Sequence, residues 1–171
     1  MVAATALGLK LRPEGILVDP RGAGLACYWK QTDGSDLSRE RVILTIFAGF
    51  IAQNRFDSDS VWSCDTDWKE ANDLLAEMSI ENIAVTRDKL LARSKELVKQ
   101  HWPAIKALAT ALLAKDWVPQ VPLGSGARWS HETSTTERRM GCEEVITLLR
   151  RHGIPAGCDQ NPVKPGLSSF I

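Results

Sequence analysis

Three groups of side chains in this sequence could take part in chemistry. They are the paired acids Asp65 and Asp67, the histidines His101, His131 and His152, and the cysteines Cys27, Cys64, Cys142 and Cys158. No two cysteines form a C-x-x-C pair, which excludes a zinc ribbon. With no secretory signal in view, the four are expected as ordinary reduced thiols. His131-Glu132 begins like H-E-x-x-H, but Thr135 stands where the second histidine belongs, so no metal site is expected there. His101 and His152 fall at predicted helix ends, where an imidazolium is favoured by the dipole. The P-loop, the G-x-G-x-x-G fingerprint and the G-x-S-x-G elbow are all absent. Asp65-Thr66-Asp67 therefore remains as the candidate. Read from its own residues, Asp65 is a helix N-cap and Asp67 a first-turn acid favoured by the macrodipole.

These residues sit in a chain of 171 residues, the size of one domain with room for a real core. Lys plus Arg and Asp plus Glu number 21 each, giving zero formal net charge. This balance argues against a general nucleic-acid binder and a polybasic membrane anchor. No apolar run approaches the roughly 20 residues that span a bilayer. The expectation is a soluble, cytoplasmic protein.

Punctuation by Gly and Pro divides the chain into elements. Val2 to Leu7 is helix-tolerant and stops at Gly8. Ile16–Val18 and Leu25–Trp29 flank Asp-Pro-Arg-Gly-Ala-Gly and predict an antiparallel hairpin. Ser38 is a candidate N-cap for a helix whose Ile43, Ile46, Phe47, Phe50 and Ile51 make an apolar face. Ala48 and Gly49 would let another backbone approach it closely. A second helix is predicted from about Asp65 to Met78. Counting back by four from Ala71 places Asp67 on or near its inward face. Thr86 is a candidate cap for a third helix. Leu91, Val98, Trp102, Ile105, Ala109 and Leu112 form one stripe across Pro103, with a kink or break predicted between 86–101 and 103–114. Residues 116–139 are expected as a loop or linker, 140–153 as a C-terminal helix and 154–171 as a poorly ordered tail. The fold class is mainly α (α+β): helices with a small N-terminal β-hairpin, and a core over residues 1–115.

The order of these segments resembles the peptidase domain of FtsH-type zinc metalloproteases, and more closely its stand-alone peptidase-like relatives. The resemblance rests on Val18-Asp19-Pro20-Arg21-Gly22, Leu37-Ser38-Arg39-Glu40, Ala48-Gly49-Phe50-Ile51-Ala52 and Asp65-Thr66-Asp67-Trp68-Lys69-Glu70-Ala71. The helices at 86–114 and Glu143-Glu144-Val145-Ile146 add to it. The resemblance implies proteolysis of a polypeptide substrate, with a separate ATPase or a homo-oligomer as possible partners. It implies zinc as the cofactor in the full-length family context, with Asp67 as the third ligand. Two histidines and a glutamate general base would come from an HExxH helix. That motif should lie immediately ahead of Val2, and Ala3–Leu7 resembles the end of its helix. The reading is thus an N-terminally truncated chain or a natural remnant that binds no zinc by itself, is inactive and carries no catalytic residue. The alternative is a non-catalytic helical interaction or regulatory domain in which Asp67 is only a helix-end acid.

Overall fold

The computed structural model describes residues 1–20, 22, 24–30, 33–56, 65–120 and 135–158. The fold is mainly helical α+β, with a four-stranded antiparallel sheet. The elements are α1 (Val2–Ala6), β1 (Leu11–Val18), β2 (Gly24–Tyr28), α2 (Asp36–Phe56), α3 (Asp65–Ala76), α4 (Ile83–Gln100), α5 (Trp102–Leu113), β3 (Val118–Pro119), β4 (Thr136–Met140) and α6 (Cys142–Arg151).

The predicted hairpin is present. Val18, Leu17 and Ile16 of β1 face Gly24, Leu25 and Ala26 of β2 in antiparallel register. The turn is closed by the Gly22 amide donating to the Asp19 carbonyl at 3.0 Å, with Gly22 at φ +85°. The sheet runs β2-β1-β4-β3, so it extends well beyond an N-terminal hairpin. β3 and all of β4 but Met140 lie within 116–139, where the sequence predicts loop. β4 reads Thr-Glu-Arg-Arg-Met, too charged to announce a strand, yet Leu17 pairs with Arg139 and Ile16 with Met140.

Gly15 makes the β1–β4 pairing possible. Its φ is +69°, and a Cβ there would lie 2.1 Å from the Met140 carbonyl oxygen. The pairing register of β1 with β2 shifts between Leu11 and Ile16, on either side of this position.

Apolar burial gathers in two main clusters. One joins α1, β1, β4, α5 and α6 through Val2, Leu11, Ile16, Leu108, Met140 and Leu149. The other joins α2, α3 and α4 through Ile43, Leu44, Phe47, Ala71, Leu75 and Leu90. α2 is buried continuously from Val42 to Ala48, which marks it as the central helix. Trp68 packs its ring 5.3 Å from that of Phe47 and 5.8 Å from that of Phe50. Ser94 is fully buried on α4, and its hydroxyl donates to the Leu44 carbonyl at 3.2 Å.

The caps differ from the residues expected. α2 begins at Asp36, and its first turn is capped by the Ser35 hydroxyl, which accepts from the Ser38 amide at 3.2 Å. α4 is capped by Asn82, whose side chain accepts from the Val85 amide at 3.0 Å, not by Thr86. The break near Pro103 is present: His101 closes α4 and opens α5. α6 lies inside the predicted C-terminal helix of 140–153, with Met140 belonging to β4 and Gly141 serving as its N-cap. Ile154 of the expected tail is 3% exposed, and Leu11 bridges to Cys158.

The expectation of four reduced thiols is corrected. Cys142 and Cys158 are joined in a disulfide with their Cα atoms 6.2 Å apart, while Cys27 is free and buried. The fold of the tail onto β1 brings the pair together across 16 positions, which spacing alone does not reveal. Cys64 and His131 lie outside the described residues.

Candidate functional site

A cleft of about 470 Å³ runs between the two clusters, within the range of small-molecule and peptide sites. One wall is the start of the chain, Met1 to Ala3, with β1 and the edge strand β2. The opposite wall is α2, through Thr45, Ala48, Gly49 and Ala52. Ile105, Ala109 and Leu112 of α5 form its apolar floor. The helical stripe read across Pro103 therefore divides. Val98 on α4 is 2% exposed, whereas the half-buried α5 part lines the cleft. Gly49 also differs from expectation. A Cβ there would meet nothing within 4 Å, so it opens onto the cleft with no backbone packed against it.

Asp67 lines the polar end of this cleft. Asp67 lies in the first turn of α3, as the sequence predicts, whereas Asp65, expected as the N-cap, is the first residue of the helix itself. Asp67 is exposed, yet neighbouring protein desolvates it enough to raise its carboxyl above the ordinary value. The Lys30 ammonium pulls it back down, and Glu70 pushes it further up. Lys30 donates to Glu70 at 2.6 Å and lies 6.0 Å from the Tyr28 ring. Burial, followed by the charges of Glu70 and Asp67, raises the Tyr28 phenol well above its ordinary value. Tyr28 thus remains a protonated hydroxyl across the physiological range. Burial also holds the Met1 amine down to about 6.

The structure therefore brings Asp67 into one cleft with Met1–Ala3 of the chain start and adds three residues that the sequence reading left out: Tyr28, Lys30 and Glu70. Glu70 could have been found, because it stands three positions after Asp67 on the same helical face. The Lys30–Glu70 pair spans 40 positions and needs the fold. His101 sits at the α4–α5 junction, closing α4 and opening α5, and burial lowers its pKa below the ordinary imidazole value. His152 caps α6.

Zinc needs at least three protein ligands held together. No group of three or more His, Cys, Asp or Glu gathers for a metal among the described residues. At the cleft, a lysine cation stands beside the two carboxylates. The residues present do not fit a zinc centre. What they do offer is an apolar trough, a sheet edge and a charged end with a phenolic donor. No described helix is long and apolar enough to cross a membrane. Neither a protein-family model nor a curated protein matches the chain.

Proposed function

We propose that this chain is a metallopeptidase-like domain of the FtsH type that, as it stands, binds no stoichiometric zinc and cleaves no polypeptide. The observation that supports the reading is the placement of Asp67. It opens α3 and lines the same cleft as Met1–Ala3 and the edge strand β2. In that family a carboxylate opening a later helix completes the ligand set begun by HExxH, and Asp67 matches that position. Polypeptide is the proposed substrate class in the family context, with an ATPase or a further copy as partner and the cytoplasm as compartment.

The test has two parts. Metal analysis and a casein-cleavage assay on the 171-residue chain should show no tightly bound zinc and no cleavage. An HExxH helix grafted ahead of Val2 should then confer zinc retention. Asp67→Asn should abolish that retention with the fold intact, because it removes an anionic ligand. Asp65→Asn should keep it, because Asp65 is exposed at the start of α3 and does not line the cleft. Equal zinc occupancy in the two grafted variants would reduce Asp67 to a first-turn acid and remove the reading. The outcome would then favour the interaction-domain alternative, in which the cleft serves only to bind.

A further inference from the structure

We infer that Cys142 and Cys158 form a thiol–disulfide switch that fastens the 154–158 segment across β1, independently of the peptidase reading. The segment is held at several points besides the sulfurs. The Ile154 amide donates to the Leu149 carbonyl at 3.1 Å, and the Leu11 amide donates to the Gly157 carbonyl at 3.1 Å. Arg150 donates to the Ala156 carbonyl at 3.3 Å. Ile154 and Cys142 both belong to the cluster that contains Leu11 and Val2. Val2 in turn lines the cleft. The covalent clasp thus lies behind the wall formed by α1 and β1.

The two sulfurs are not equivalent. Cys142 is 3% exposed, whereas Cys158 is partly exposed. An external thiolate therefore reaches Cys158 Sγ first. It forms a mixed disulfide there as the Cys142–Cys158 bond breaks, and the electron pair leaves on Cys142 Sγ. That leaving group lies in the first turn of α6, whose N-terminus has Gly141 as N-cap and no side-chain cap. The backbone amides there favour a thiolate. Glu143 and Glu144 oppose it, and the Lys115–Glu144 ion pair offsets part of that opposition. A second external thiol attacks the external sulfur and releases Cys158. Each released thiolate takes up a proton. Two low-molecular-weight thiols become one disulfide, and the protein disulfide becomes two thiols. Oxidation is the reverse, with a low-molecular-weight disulfide as the oxidant.

Hydrogen exchange on the full chain tests the switch, in glutathione buffers poised oxidised or reduced. Mass spectrometry should show the loss of two hydrogens at Cys142 and Cys158 on oxidation. Reduction should then speed exchange of the Leu11 amide and of the 154–158 peptide by about tenfold or more, as expected for a local opening, while α4 stays protected. Cys158→Ser in oxidising buffer should reproduce the reduced pattern, and Cys27→Ser should respond as the parent does. Three results would overturn the inference. The thiols could stay free under oxidised glutathione. Exchange at Leu11 could be the same in both states. Protection could also collapse throughout the chain on reduction, which would make the bond a structural staple.

Discussion

Burial raises the pKa of two acidic side chains, Asp67 on α3 and Cys27 on β2, with different consequences. Partial desolvation raises the Asp67 carboxyl above its ordinary 3.8. The folded chain therefore keeps that proton to higher pH than the unfolded chain does. Between 3.8 and the raised value, the folded state binds more protons, so stability falls as pH rises through this window. Above it, the charged carboxylate opposes folding. Asp67→Asn should thus leave the melting temperature at pH 7 unchanged or slightly higher, and the difference from the parent should vanish below pH 3.8. A clear drop at pH 7 would mean that the interaction with the α3 dipole outweighs desolvation. Cys27 is the simpler case. Burial, reinforced by the Glu14 charge, pushes its thiol up to about 11. At neutral pH it should carry roughly a few hundredfold less thiolate than a free cysteine, whose pKa is about 8.5. Alkylation by iodoacetamide at pH 7.5 should therefore be negligible on Cys27 until denaturant is added, and rapid labelling of the native chain would contradict this.

The elements themselves depend on a few backbone positions, and glycine contrasts test them. Gly15 and Gly8 both have positive φ, +69° and +79°, but only Gly15 faces a neighbour: Met140 and Gly141 backbone atoms would lie within 3 Å of a Cβ. Gly15→Ala should cost about 3 kcal/mol or more and disturb the β1–β4 pairing, through backbone strain and overlap together. Gly8→Ala meets open space and should cost only about 1 kcal/mol, the ordinary penalty of the left-handed conformation. Urea midpoints of the two variants measure the contrast. The same scale shows what sequence can carry. The β1–β2 hairpin was legible because Asp-Pro and two glycines mark a turn between apolar runs. The α4–α5 break was legible because Pro103 cannot supply a helical amide. β4 was not, since Glu137 is fully buried in a strand with almost no apolar residues. Its burial comes with a 2.5 Å ion pair to Arg139 and a place beside β1, both tertiary facts. Ser38 and Thr86 were reasonable caps by type, but Ser35 and Asn82 lie three and four positions earlier and serve instead. Asp67 was legible as a first-turn acid. Its cleft was not, because Tyr28 and Lys30 come from one stretch of chain and the α5 floor from another, both far in sequence from Asp67.

At the scale of the whole molecule, the cleft follows from the division of the core. Leu149 belongs to the cluster of the sheet with α1, α5 and α6, and Leu75 to the cluster of α2, α3 and α4. Both are fully buried. α1 packs on α2, with Val2 in the first cluster and Leu7 against the second, and α5 meets α4 beside the His101 break. The two halves touch along helix ends and through the Lys30–Glu70 ion pair, and leave an open trough of about 470 Å³ where a continuous core would otherwise lie. Each core leucine replaced by alanine should cost about 2–5 kcal/mol. The distribution of that loss distinguishes two cores from one. In a divided molecule, Leu75→Ala speeds hydrogen exchange in α2, α3 and α4 more than in α6, and Leu149→Ala does the reverse, because each half opens with its own free energy. A uniform acceleration across both halves in either variant would show that they open as one unit. The trough would then be a groove on a single core, and its α2 and α5 walls would be rigidly coupled. If the pattern divides, the walls can shift relative to each other. In that case the α1 and α4–α5 connections accommodate the shift, and the Lys30–Glu70 ion pair and the Phe56–Trp102 ring contact, which also bridge the halves, resist it.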